Sequence, residues 1–115
     1  MGANVKIAKL HEQPLIDEHS RFIRALLVGH EIGAKRLEHV DYVTYYAGGS
    51  CPVHVHEESE EIFYFLRGTG VAFLDEEEIP FKPGTVLLVP KGVKHGLKCS
   101  EDGMVEHIVC CVSVD

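Results

Sequence analysis

The sequence has no cluster of basic residues. Eleven Lys and Arg stand against 18 Asp and Glu, a formal net charge of −7, and the cations never form a run. Surfaces that hold nucleic acid need grouped cations to neutralise phosphates, so no nucleic-acid partner is expected. Also missing is any apolar stretch near the roughly 18 residues needed to cross a bilayer. The start, Met1-Gly2-Ala3-Asn4-Val5-Lys6, lacks the apolar block of a signal peptide. Gly2 is no myristoylation site, because Lys6 stands where Ser or Thr is required. No membrane association is expected. The four cysteines, Cys51, Cys99, Cys110 and Cys111, show no Cys-x-x-Cys spacing. Adjacent Cys110 and Cys111 would face opposite sides of a strand and could not readily pair. All four read as small apolar fillers and reduced thiols of a cytoplasmic protein. Internal repeats, low-complexity tracts, linkers and long segments of helical period are absent too.

What is there suffices for one domain spanning 1–115, with 45% hydrophobic residues to build a core without staples. Residues 1–20 are weakly patterned and read as an arm turning around Gln13-Pro14. Arg21 to Val28 is too short for periodicity to separate strand from helical turn. Arg36 to Ala47 is rich in β-formers, and short strands follow at Val53 to His56, Glu61 to Arg67, Val71 to Leu74 and Ile79 to Lys82. The acidic stretch Asp75-Glu76-Glu77-Glu78 reads as a solvated hairpin tip. Gly84 to Val89 reads as a buried strand from its continuous apolar run, and His95 to Cys99 and Met104 to Val114 complete the chain. Many short strands punctuated by Gly and Pro make the class all-β, a sandwich or barrel.

The chemistry concentrates in His54-Val55-His56-Glu57-Glu58-Ser59-Glu60-Glu61. Two histidines two apart on a strand share a face, with Cα atoms roughly 7 Å apart. That spacing lets both imidazoles reach one cation at the ~2.1 Å of a metal–nitrogen bond. His95 follows a second turn, Pro90-Lys91-Gly92. Three neutral nitrogens and one carboxylate oxygen would hold a divalent transition metal with positions left open. Parity selects the carboxylate. Glu61 shares a face with Phe63 and Phe65, so if that face is the interior, Glu61 enters with the aromatics and Glu60 does not.

These residues stand in the pattern Gly48-x5-His54-x-His56-x4-Glu61-x6-Gly68, then Gly84-x5-Pro90-x-Gly92-x2-His95. It resembles the two signature motifs of the cupin superfamily, over 48–68 and 84–99. The short spacing between Gly68 and Gly84 is similar to that of small single-domain microbial cupins. Cys99 stands where the family pattern commonly has Asn. The resemblance implies a double-stranded β-helix (jelly-roll barrel) with His54, His56, Glu61 and His95 as ligands of one divalent transition metal (Fe, Mn, Ni or Zn) at the barrel mouth. It implies a metal-dependent enzyme of dioxygenase, decarboxylase, isomerase or lyase type acting on a small acid or sugar-like molecule in the barrel. The alternative is a barrel that binds a small ligand without chemistry.

Other groups are weaker candidates. Cys51 with His54 and His56 would make a structural zinc site only if Pro52 bulges the chain, since strand parity otherwise turns Cys51 away. Glu106, His107 and the hydroxyls of Tyr42, Tyr45 and Tyr46 are the candidates for a pocket acid or base. His11, His19, His30 and His39 have no partners at ligand spacing and read as surface residues, as do Lys91 and Lys94. Phe22 to Val28 is more apolar than a free surface strand should be, and is expected to pack on a second copy in a two-fold homodimer.

Overall fold

The computed structural model of the chain describes residues 6–13, 16–18 (backbone only) and 20–115. Its strands are β1 (Ile16–Glu18), β2 (Arg21–Val28), β3 (Leu37–Tyr45), β4 (Ser50–His54), β5 (Ser59–Arg67), β6 (Gly70–Leu74), β7 (Glu77–Phe81), β8 (Val86–Val89), β9 (His95–Cys99) and β10 (Val105–Ser113). Among the described residues there is no α-helix, only two single 3-10 turns, and no helix long and apolar enough to cross a membrane. The strands form a six-stranded sheet, ordered β1-β2-β3-β10-β5-β8, and a four-stranded sheet, ordered β4-β9-β6-β7. Every neighbouring pair is antiparallel. This is the double-stranded β-helix that the motifs imply.

Side-chain alternation builds the interior. β5 turns Ser59, Glu61, Phe63 and Phe65 inward and Ile62, Tyr64 and Leu66 outward. On β10, its neighbour, Val105, His107, Val109 and Cys111 are the buried set. From β3 come Val43 and Tyr45; from the opposite sheet come Ala72, Phe81, Leu97 and Cys99. Phe65 joins the sheets by stacking on Phe81, ring centroids 4.0 Å apart and 14° between planes. The core is thus a row of inward side chains between two pleated faces.

Five sequence expectations change. Arg21–Val28 is a strand whose main chain is paired on both sides, by β1 and β3, so it has no free edge to add to the sheet of a second copy. Part of the expected N-terminal arm pairs with it as β1; Pro14 lies outside the described residues. The run ending at Val89 is an edge strand rather than a buried one. Val86 and Leu88 are 55% and 54% exposed, while Leu87 and Val89 face in. A continuous apolar run cannot tell a strand buried on two faces from an edge strand with an apolar outer face. Finally, β4 ends at His54, which leaves His56 in the loop beyond it, and Glu77 and Glu78 belong to β7 rather than the hairpin tip.

Gly68 and Gly84 both adopt left-handed φ values, +85° and +92°, but only one is also crowded. A Cβ on Gly68 would lie 2.3 Å from the Met104 carbonyl oxygen, whereas one on Gly84 would meet nothing within 4 Å. Gly84→Ala should therefore lose about 1 kcal/mol of stability from φ alone, and Gly68→Ala about 2–4 kcal/mol. Urea unfolding of the two variants checks this; equal losses would show that the Met104 carbonyl yields freely.

Candidate metal centre

Two hairpins bring four donors together. The register of β4 on β9 sets Cys51 opposite Leu97 and His54 opposite His95, so three steps on β4 span two on β9. The additional residue is a bulge at Pro52-Val53, a place where the missing proline N–H removes no ladder bond. Beyond β4, the main chain is held to the second motif where Gly92 N–H donates to the His56 carbonyl at 2.8 Å. Gly92 has φ +80°, which this turn requires. His54, His56 and His95 then present their rings to one point, with centroids 4.3 to 5.3 Å apart. Glu61 arrives from β5.

One candidate ligand atom from each of His54, His56, Glu61 and His95 lies within 4.8 Å of all the others, and the group could hold a metal ion. Burial runs in order from exposed His54 through His56 to buried Glu61 and His95. His54 Nδ1 donates to the Pro52 carbonyl at 2.8 Å, and His95 Nδ1 donates to the Val93 carbonyl at 3.0 Å. A carbonyl can only accept, so each Nδ1 carries the proton and each Nε2 faces the centre. Such outer hydrogen bonds are what set ring orientation and tautomer in metal sites. The donor set fits a divalent transition metal, for three imidazoles and one carboxylate combine borderline and hard ligands around a partly open centre.

The donors also bond to one another. His95 Nε2 donates to Glu61 Oε1 at 2.8 Å, and His56 Nε2 lies 3.2 Å from the same oxygen. Burial alone would raise the Glu61 pKa, but the His95 hydrogen bond and the nearby histidine charges outweigh it and hold the carboxyl below its ordinary value. For His95, burial works toward neutrality, and the bonds to Glu61 and the Val93 carbonyl reverse it, raising its pKa. A metal must displace these protons to bind.

Below the donors the barrel encloses a cavity of about 220 Å³. Its apolar wall is Ile23, Val43, Phe63, Leu97 and Val109; its inner polar groups are Arg21, Tyr45, Cys51 and His107. Arg21 Nη1 donates to the Tyr45 hydroxyl at 3.1 Å and approaches Cys51 Sγ at 3.7 Å. His107 is 1% exposed, and burial drives its pKa down to about 4. Burial also moves the Tyr45 hydroxyl upward.

The structure sorts the remaining sequence candidates. Glu106 is on the outer face, where it accepts a hydrogen bond from Tyr42 and lies 3.8 Å from Arg67, so neither Glu106 nor Tyr42 reaches the cavity. Tyr46 packs against Phe22 and is 40% exposed. Cys51 is turned inward by the bulge that parity alone does not foresee, its Sγ 4.0 Å from His54 Nδ1. It stands outside the four-donor group, and all four cysteines are free thiols. His39 is no isolated surface residue: its Nδ1 lies 3.1 Å from Asp41, and with Glu61 and Cys111 it forms a second group of potential ligands. His19 lies outside the described residues. Sequence reading missed Arg21 and Asp41 entirely. The only signal for Arg21 was its parity with Ile23 along a strand whose type was itself ambiguous.

Comparison with known proteins bears on the family and the fold. The family model described as "Cupin domain" matches residues 41–111, more than half the chain. An uncharacterized protein of Methanocaldococcus jannaschii is 37% identical over 65 residues, covering 56% of this chain and 50% of its own. An oxalate-binding protein of Thermotoga maritima is 35% identical over 51 residues, covering 44% and 42%. The chain thus spans about half the length of the curated relatives it matches. Among solved structures, that of a predicted oxalate decarboxylase from Thermotoga maritima superposes with a TM-score of 0.87 at 19% identity, covering 95% of this chain and 100% of the other.

The Glu61–His95 pair gives metal-free protein a pH window. Glu61 titrates below its ordinary 4.5, so its contribution to stability is present above about that pH and is lost as pH falls through the lowered value. His95 titrates above its ordinary 6.5, so its contribution is complete below about that pH and is lost as pH rises through the raised value. With chelator present, the stability advantage of the parent over Glu61→Gln should therefore be greatest between about pH 4.5 and 6.5. Thermal denaturation across the range measures it. An advantage that kept growing above neutrality would contradict the pairing.

Proposed function

This chain belongs to the cupin family, and from that premise we propose that it is a metal-dependent enzyme for a small carboxylic acid or sugar-like molecule. In this reading His54, His56, Glu61 and His95 ligate one divalent transition metal, Fe, Mn, Ni or Zn. The observation that carries it is the convergence of those four side chains at the opening of the cavity, with two imidazoles already locked on carbonyls. When bound, such an ion supplies Lewis-acid polarisation of a substrate oxygen. The chain's own residues orient the acid against the apolar wall and keep bulk water from the interior. The printed names of two similar proteins, an oxalate-binding protein and a predicted oxalate decarboxylase, support the small-acid part of the reading. Four free thiols suit a reducing, cytoplasmic setting.

One observation favours the second reading, a ligand-binding barrel without chemistry. The inner groups that could move a proton, His107 and Tyr45, are both shifted so as to stay neutral near pH 7. Metal analysis of untagged protein, followed by a turnover screen of small acids under O₂, separates the readings. Parent protein should carry about one metal per chain, and His56→Ala or His95→Ala should lose roughly tenfold or more in affinity with the fold intact. Glu61→Gln should weaken binding far more than Glu60→Gln. Equal metal content in all variants would end the assignment.

We also propose a homodimer, through a different face from the one the sequence suggested. The outer side of β5 and β8 exposes Ile62, Tyr64, Leu66, Val86 and Leu88, each 40% or more, and cross-strand pairing makes them contiguous. Together they present on the order of 400 Å² of apolar surface, about the apolar share of one partner's side in a standard interface. Beside them β8 is an unpaired sheet edge among the described residues. A second copy, offering the same face about a two-fold axis, covers both. Sedimentation equilibrium should return twice the 12.8 kDa chain mass, and Leu88→Lys should return the single mass. A parent of 12.8 kDa rejects the dimer.

A further inference from the structure

The metal centre accounts for only one end of the cavity. At the other end lies His107, whose two ring nitrogens are both buried and without a hydrogen-bond partner among the described residues. The Ile108 main chain is near the ring yet bonds neither nitrogen with normal geometry. A neutral imidazole offers one N–H donor and one acceptor. Leaving both unmet in a protein interior is costly, and such a group calls for a partner the protein does not itself supply. The ring sits among Tyr45, Phe63 and Phe65, with centroids 5.8, 5.1 and 5.5 Å away. Three aromatic side chains hold it in place without satisfying it.

Tyr45 adds a hydroxyl that, among the described residues, accepts a hydrogen bond and has no acceptor of its own. Its hydroxyl oxygen accepts from Arg21, so its own proton must point elsewhere, and the side chain is fully buried. Both residues line the cavity that opens to the metal ligands. Phe63 stands between the two ends, its ring centroid 6.4 Å from His95 and 5.1 Å from His107. The cavity is therefore polar, apolar, then polar along its length. On β10, Cys111 pairs with Glu61 and His107 pairs with Phe65, four residues or roughly 13 Å apart along the strand. The cavity has a volume of only about 220 Å³. An occupant touching both ends is small and narrow.

We propose that His107 and Tyr45 form a second polar subsite at the closed end of the barrel, which takes the far oxygen of a small carboxylic acid whose carboxylate faces the histidine–glutamate centre. The inference rests on the metal-binding reading above and names its ligand class: short acids carrying a second oxygen function, such as a carboxylate or hydroxyl, at the far end. His107 N–H and Tyr45 O–H both donate to that oxygen. Apolar atoms between the two ends of the ligand lie against Phe63 and Val109.

The test uses zinc-loaded full-length protein, calorimetric titration and a probe series. The probes are linear dicarboxylates and ω-hydroxy acids of roughly three to six carbons, each matched with the monocarboxylate of equal length. Parent protein should prefer at least one bifunctional acid over its match by about three- to tenfold, the worth of an ordinary hydrogen bond or two. His107→Phe keeps an aromatic ring, slightly larger, beside a cavity that can take up the difference, and removes both unmet nitrogens, so its melting temperature should equal or exceed that of the parent. Its zinc content and monocarboxylate affinity should be unchanged, and its preference for the second oxygen lost. Tyr45→Phe should lose the same preference. No binding by any probe, no preference in the parent, or a preference that survives both substitutions overturns the subsite. If His107→Phe fails to fold, Tyr45→Phe decides alone, and a retained preference again overturns the proposal. His56→Ala tests the reading beneath it: a bifunctional preference that persists after zinc is lost would refute the metal contact and leave the subsite standing.

Discussion

A carboxylate buried in an apolar barrel constrains everything around it. Glu61 is 7% exposed and sits on the same strand face as two phenylalanines. An isolated charge there would be strongly disfavoured, so the fold must bring cationic or metal partners to it. His95 and His56 answer that need at one oxygen. Because His95 comes from β9 and His56 from the loop after β4, satisfying one carboxylate ties the two sheets together at one end. The Gly92 to His56 main-chain bond serves the same closure from the backbone side. Stability and the proposed chemistry thus draw on the same four side chains.

Electrostatics grade smoothly from that end to the other. At the mouth, His54 is exposed, while Glu61 and His95 behind it are buried. Four residues deeper on β10, burial holds His107 neutral, and burial likewise keeps the Tyr45 phenol protonated. Arg21 brings a cationic side chain to this deep region, with its guanidinium on the Tyr45 hydroxyl. The deep region thus combines two neutral hydrogen-bonding groups with one cationic side chain, while the carboxylate Glu61 stands with the histidines at the other end.

The bulge at Pro52-Val53 shows how a local irregularity enlarges a site. It lets Cys51 and His54, three residues apart, both face inward. Without it the thiol would point outward and the cavity wall beside Arg21 would be different. On the other side of the barrel, alternation leaves Ile62, Tyr64 and Leu66 outside because Glu61, Phe63 and Phe65 are inside. One pleat thus specifies the site on one face and an apolar outer patch on the other.

The sequence by itself determined the strand-rich class and the turns, and the resemblance of its two motifs to those of cupins named the four donors. The class and the turns depend on short-range facts: period-two alternation and glycines where φ must be positive. Parity along β5 separated Glu61 from Glu60 for the same reason. Only the tertiary structure decided that Arg21–Val28, ambiguous in sequence, is a strand paired on both sides, and that Val86–Val89, which reads as buried, lies at a sheet edge. It also decided that Cys51 turns inward, that Glu106 and Tyr42 stay outside, and that Arg21, His39 and Asp41 reach the cavity. Each of these depends on sheet order and bulge position, which are set by contacts between residues far apart in the chain. His107 shows the boundary between the two. Alternation places one of Glu106 and His107 inside, and only packing against Tyr45, Phe63 and Phe65 shows that the buried ring is left unbonded.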